Sequence, residues 1–389
     1  MNECLEDYKA TGNDLNMLYK EINNMAKRTE CFPISLSSFD VMSYCGITAT
    51  KQHLTFFNMS EKYEGQELDT SNLSIPKLMT SITKEELHEM IDTGLFLRDS
   101  ESIYKPGIKS YFLSKWALST LLPKIGLGGP AMAEHSIVRD LQLANIMKTT
   151  DNQFLNILVR TSESGRPKIF AFLGGRSTPP SFSILTDMIH TVVEYYPNAK
   201  LYNWEITNKY INVYFDLPDT FTVNEDTYIP GIKLTFSDVG YKGITVSSTL
   251  RLSTPTVIST KEISVKDKVE TVMHKFFTAS ETERAKFVAG IQCLSERKYA
   301  DEEEQALIAC TTQFNSVMKY SELSKIIGVK RLKQINKNIK TLLPNNREIV
   351  ASDICSIVMH MPENIVFSSE SARTKLENGC GHALKYLTK

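Results

Sequence analysis

From Phe154 to Ile258 hydrophobic and polar positions alternate with a period of two, whereas on either side apolar residues recur at helical spacing. Within the alternating stretch, "FLNILVRT" and "PKIFAFLGG" read as strands joined by the turn "SESGR". The loop "RSTPPS" then opens a helix, "FSILTDMIHTVVEYY", with Ser181 placed to cap it and Pro197 beyond its end. In "WEITNKYINVYF", a two-residue turn at Asn208-Lys209 sets Trp204 opposite Val213 and Ile206 opposite Ile211. Glu205 then faces Asn212, and Thr207 faces Tyr210. One face is apolar and the other largely polar, the signature of a half-buried antiparallel hairpin. A further pair of strands flanks "SDVGYKG", a turn longer than a hairpin needs, in which Asp238 and Gly240 read as turn-closing residues.

Outside this stretch the pattern predicts helices. Residues 1–30 carry an imperfect apolar stripe through Leu5, Tyr8, Leu15, Leu18 and Ile22. Segment 31–110 is turn-rich, with one helix from Thr83 through "KEELHEMIDT" to Gly94. "SKWALSTLLPKI" is a helix leading into the loop "GLGGP", and another helix runs from about Ala131 to Lys148. Residues 260–389 read as almost wholly α. The expected class is α+β: a central, mostly antiparallel sheet with packed helices, and helical N-terminal and C-terminal parts. Three regions follow: a mainly helical or irregular 1–114, a central α+β domain 115–262, and a helical domain 263–389.

Composition narrows the function classes. The chain has 389 residues, 42% hydrophobic and 23% charged, which is the balance of a soluble globular protein of two or three domains. With 44 basic against 45 acidic residues the formal charge is -1, so any nucleic-acid contact must be a local patch. Seven cysteines form no close-set framework and suit a reducing cytoplasm. The mixed, acidic N-terminus does not read as a signal peptide, and no apolar run approaches a bilayer span.

Few residues point to chemistry. "GLGGPA" resembles a phosphate-cradling loop, but a helix precedes it rather than the required strand, so a helix-to-helix connection is expected. In "FLGGRSTPP", backbone amides and Arg176 between a strand and a helix could hold a phosphate; the plain alternative is a turn with a solvated arginine. Cys355, His360, Cys380 and His382 lack usual zinc spacing. No catalytic residue, cofactor or metal is assigned.

The strongest signal is "KYSELSKIIGVKRLKQINKNIK", a short helix, a Gly328-Val329 turn and a basic second helix. Lys319, Lys325, Lys330, Arg331, Lys333, Lys337 and Lys340 stand against only Glu322. Leu323, Ser324, Ile327 and Gly328 fit a helix-turn-helix, while Gln334 and Lys337 occupy positions where that motif packs apolar side chains. A solvated amphipathic helix is the alternative. Tyr195, Tyr196, Tyr202, Tyr210 and Tyr214 crowd a region carrying Lys200 and Lys209, as in single-strand stacking platforms. The hairpin register buries Trp204 and leaves Tyr210 and Tyr214 on the polar face.

Over about residues 115–258 the chain resembles the phage/plasmid-like protein family, a domain of unknown function, through Arg160, Thr161, Ala171, Phe172, Leu173 and Arg176 and through Pro230, Gly231, Ser237, Asp238, Val239 and Gly240. Gly174-Gly175 replaces that family's Ser-Asp, and Arg251 is not followed by its cysteine. The resemblance implies a mobile-element origin and no defined reaction. The expected function is a non-catalytic nucleic-acid-binding accessory protein of a phage or plasmid, in the bacterial cytoplasm. DNA is expected rather than RNA, with Lys325, Lys330, Arg331, Lys333, Lys337, Lys340 and Arg176 as binding residues. A homo-oligomer and a host protein are compatible partners, and a membrane is not. The alternatives are a virion or host-factor-binding protein without nucleic acid, and an enzyme with a site near Arg160, Arg176 and Asp238.

Overall fold

Two strands that read plainly in the sequence, Phe154–Thr161 and Pro167–Gly174, pair antiparallel and take the second and third places from one edge of a seven-stranded sheet. The computed structural model describes residue 4 and residues 8–48, 53–59, 93–99, 110–128, 136–150, 154–162, 167–223, 226–251, 255–257, 263–265 and 268–295. In chain order these residues form β1 (Lys9–Gly12), α1 (Leu15–Arg28), β2 (Thr29–Ser35), β3 (Phe39–Thr48), β4 (His53–Asn58), β5 (Leu95–Asp99) and β6 (Ser110–Leu113). There follow α2 (Lys115–Leu121), α3 (Ile137–Thr149), β7 (Phe154–Thr161), β8 (Pro167–Gly174), α4 (Phe182–Tyr195), β9 (Lys200–Thr207) and β10 (Ile211–Asp216). The rest are β11 (Phe221–Val223), β12 (Asp226–Phe236), β13 (Thr245–Arg251), β14 (Pro255–Val257), β15 (Ile263–Ser264) and α5 (Val269–Ser295). The sheets are mostly antiparallel, so the class is α+β.

Two compact units result. The first comprises Met1–Phe182 together with Glu205–Ile211 and Ser237–Lys242; the second comprises Ser183–Trp204, Asn212–Phe236 and Gly243–Lys389. In the first unit the strand order is β2-β7-β8-β6-β5-β3-β4, and the β6–β8 pair is parallel. For the described residues of the N-terminal region, strands replace the expected helical or irregular structure. Among its described residues the α-helix is α1, which Asp14 caps by accepting a hydrogen bond from the Met17 amide at 2.7 Å. Thr29–Ser35, Phe39–Thr48, His53–Asn58 and Leu95–Asp99 are strands. Their partners explain the miss: β2 pairs with β7, Thr29 opposite Arg160, across more than a hundred residues, and its Pro33 weakens the local strand signal. Residues 83–92 of the helix expected at 83–94, and all of 296–389, including the basic helix pair and Cys355, His360, Cys380 and His382, lie outside the described residues.

A bulge divides the side chains of this sheet. Leu158 pairs with Ala171, but Val159 pairs with Ile169, so Phe170 has no opposite number. Leu155, Ile157, Val159, Ile169 and Phe172 therefore face one core, shared with Leu118 and Leu121 of α2 and Leu143 and Met147 of α3. Phe170 and Ala171 both turn to the other face, where they join Leu158 and Val239. Arg160 and Lys168, cross-strand partners, are 3% and 0% exposed.

In the second unit the strand order is β9-β10-β12-β13-β14, with β11 on β12 and β15 on β13. The β1 strand borders β9, whose Glu205–Thr207 end belongs to the first unit. The predicted hairpin turn is present: the Thr207 amide donates to the Tyr210 carbonyl at 2.9 Å. Its polar face, however, is not solvated. Glu205, Asn212, Tyr210 and Tyr214 are all buried. On β12 and β13, Ile229 lies opposite Arg251 and Thr235 opposite Thr245, which leaves 236–244 as the connection. Helix α5 contacts β11 and β13, and Phe277 packs against Tyr195 and Tyr196 at ring-centroid distances of 4.8 and 5.2 Å.

Candidate functional site

An arginine inside the apolar run "NILVRT" must find an acceptor when its strand is buried, because an unpaired interior charge is costly. In β7 that residue is Arg160, opposite a second buried cation, Lys168. Two like charges across a strand pair repel. The counter-charge comes from Asp238, 78 residues away in sequence: Arg160 Nη2 donates to its two carboxylate oxygens at 2.7 and 2.8 Å. Asp238 is only 4% exposed.

The other guanidinium nitrogens bind the hairpin turn and β2. Arg160 Nη1 donates to the Asn208 carbonyl and, at 3.2 Å, to its side-chain oxygen, while Nε donates to Thr29 Oγ1 at 3.3 Å. The guanidinium also lies 4.9 Å from the centre of the Phe170 ring that the bulge turned to this side. Cys4 donates its thiol to the Arg160 carbonyl at 3.8 Å. Burial pushes that thiol up to about 11, against the opposing pull of Arg160 and Lys168, so it stays protonated.

The unusual length of the 237–243 turn is explained by what it binds. Ser237 Oγ donates to the Lys209 carbonyl at 2.7 Å and accepts from the Tyr241 amide at 3.0 Å. Asp238 fills the Arg160 site, and Val239 enters the small apolar cluster and accepts from the Trp116 indole at 3.0 Å. Gly240 follows with φ of +71°, reversing the chain. Tyr241 then meets Trp116 edge-on at 4.8 Å and stacks on Tyr210 at 5.9 Å, with the Lys242 ammonium 4.4 Å from the Tyr210 ring. Asp238 is thus more than a turn residue. With both carboxylate oxygens engaged by one buried guanidinium, it is an anchor rather than a base poised for a substrate.

Arg176 is not brought to this cluster. It is exposed in the turn after β8, at the end where Gly174 pairs with Leu155, five residues along β7 from Arg160, or about 16 Å by strand rise. The neighbouring Gly175 has a packing reason: a Cβ there would stand 2.5 Å from the Phe154 carbonyl oxygen. The Ser177 amide of the same turn donates to the Gly174 carbonyl at 2.8 Å. Gly126, the first residue of "GLGGP", closes the 3-10 turn that extends α2 at φ of +75°.

Tyr210 and Tyr214, the two aromatics that the hairpin register leaves on the polar face, are buried rather than exposed for stacking. Trp204, Tyr210, Tyr214 and Phe215 are 7% exposed or less. Tyr210 donates its hydroxyl to Glu205 at 2.6 Å, and Lys9 pairs with the same carboxylate at 2.9 Å. Tyr196 bridges helices: its hydroxyl donates to Glu281 at 2.9 Å and accepts from Arg284 at 3.2 Å. Burial pushes the Tyr196 phenol up to about 12.

Other polar features are local. At the start of α3, Arg139 donates to Asp140 at 2.7 Å and to the Thr93 carbonyl at 2.6 Å, and Ser43 donates to Asp140 at 2.6 Å. In the second unit, Arg251 clamps Asp216 and lies 4.1 Å from the Tyr202 ring centre, beside a cavity of about 640 Å³ lined by Pro197, Lys200, Asp216, Pro218 and Ile229. Among the described residues, no group of three or more His, Cys, Asp or Glu could hold a metal, and no helix is long and apolar enough to cross a membrane. Comparison of the chain with protein-family models, with curated proteins and with solved structures gives no match.

Proposed function

We propose that this chain is a non-catalytic nucleic-acid-binding protein of a phage or plasmid, acting on DNA in replication, recombination or control within a bacterial cytoplasm. One observation carries the proposal: between Lys319 and Lys340 seven basic residues stand against a single acidic one, in a chain whose formal charge is -1. Charge concentrated in this way neutralises phosphates and releases their counterions. The residues assigned to contact the backbone are Lys325, Lys330, Arg331, Lys333, Lys337 and Lys340, with Arg176, exposed after β8, as a subsidiary contact. Asp238, which the enzymatic alternative would use, has both carboxylate oxygens held by Arg160. The mobile-element origin rests on the resemblance of residues 115–258.

Fluorescence anisotropy with labelled duplex DNA tests the proposal. A variant carrying Lys330→Glu, Arg331→Glu and Lys333→Glu loses binding that the unaltered chain shows at low salt; equal affinity of the two proteins overturns the assignment. The near-zero formal charge favours, as a second reading, a virion or host-factor-binding protein. A defined oligomer formed without nucleic acid, together with no DNA binding, would support it.

A further inference from the structure

The 237–243 turn ends in a surface that its anchoring role does not require. Asp238 and Val239 are buried, but Tyr241 and Lys242 are partly exposed, as is Trp116 beside them. The indole is fixed by its hydrogen bond to the Val239 carbonyl and stands at 82° to the Tyr241 ring. Tyr241 in turn rests at 21° on Tyr210, which is buried and gives the stack a rigid floor. Lys242 is held over the same floor, while Lys115 opens α2 next to Trp116 and Lys209 sits in the hairpin turn beside Tyr210. Glu205 pairs with Lys9 and Tyr210, and Asp238 with Arg160.

We propose that Trp116, Tyr241 and Lys242, flanked by Lys115 and Lys209, form a contact surface for single-stranded DNA. An aromatic ring can stack only on a base whose face is uncovered, which selects unpaired strands over a duplex; lysines beside the rings then meet the phosphates that follow the stacked base. Rings already ordered by the protein's own packing lose little freedom on binding. The inference deepens the nucleic-acid reading and rests on it. It adds a site for a particular form of DNA on residues distant in sequence from Lys319–Lys340.

Its test uses the full chain, a labelled oligothymidine and a duplex of matched length. Trp204 is 1% exposed and the chain has two tryptophans, so quenching of tryptophan fluorescence by the single strand reports on Trp116. Tyr241→Ala is expected to weaken single-strand affinity about tenfold and to leave duplex affinity unchanged. Lys242→Glu, which leaves the aromatic stack intact, is expected to flatten the dependence of log affinity on log salt by about 0.7 or more. Fluorescence quenching together with these two shifts supports the surface. Single-strand binding that is abolished by Lys330→Glu, Arg331→Glu and Lys333→Glu, but unaffected by Tyr241→Ala and Lys242→Glu, overturns the surface and leaves the basic segment in place. Absence of any binding by the unaltered chain at low salt overturns both.

Discussion

Replacing Arg160 by alanine removes every donor that holds Asp238. The carboxylate loses hydrogen bonds of 2.7 and 2.8 Å and stays in a site that is 4% exposed, where water cannot substitute without opening the structure. Breaking one partner of such a pair destabilises by about 3–5 kcal/mol, because it strands a buried charge. The contact with Phe170 adds about 0.5–1 kcal/mol, so a loss of about 4–6 kcal/mol is expected for Arg160→Ala. Asp238→Asn should cost less, about 2–3 kcal/mol, since the guanidinium keeps Asn208 and Thr29 as acceptors. Replacing both partners with apolar groups, Arg160→Met with Asp238→Leu, removes both charges together and should recover most of the loss. Urea unfolding followed in parallel by circular dichroism and tryptophan fluorescence measures these values, and coincident transitions justify a single free energy. A cost below about 1 kcal/mol for Arg160→Ala, the range of a solvated pair, would refute the anchor.

Three further outcomes follow from local geometry. Burial pushes the Asp40 carboxyl up, but hydrogen bonds and charge from Arg98 and Lys148 outweigh it and hold the group below its ordinary value. Its contribution is therefore present above the unfolded value of about 3.9 and is lost as pH falls through the lower folded value, so the stability gap between the unaltered chain and Asp40→Asn should close in acid; a gap constant with pH would contradict this. Gly240→Ala meets no atom within 4 Å and should cost only about 1 kcal/mol of backbone strain, whereas Gly175→Ala, facing the Phe154 oxygen at 2.5 Å, should cost more; thermal melts that reverse this order would contradict the geometry. Iodoacetamide at neutral pH should label exposed Cys31 at least about tenfold faster than buried Cys4, as peptide mapping can show, and equal rates would place Cys4 at the surface.

What the sequence disclosed depended on the range of the forces involved. The strands 154–161 and 167–174, the helix 182–195 and the turn at Asn208-Lys209 were legible because each is specified by a local period and its flanking turn residues. The strands at 29–35, 39–48, 53–58 and 95–99 were not legible, since their register comes from partners elsewhere in the sheet, as β2 takes its register from β7, rather than from their own alternation. The polar hairpin face was misread as solvated for a related reason: a polar side chain can equally face a buried partner, as Glu205 faces Tyr210 and Lys9, and Asn212 faces Thr235. The Arg160–Asp238 pair left two traces that could have been joined, a cation inside an apolar strand and a turn longer than its strands needed. Nothing local in the sequence connects them.

The central claim is electrostatic recognition of DNA, and the salt dependence of binding by the unaltered chain tests it most directly. Affinity for duplex DNA should fall along a straight line of log affinity against log salt, with a loss of about a thousandfold or more between about 50 and 200 mM if six lysines and arginines each neutralise one phosphate. No binding at the lowest salt, or an affinity that salt does not change, would contradict it.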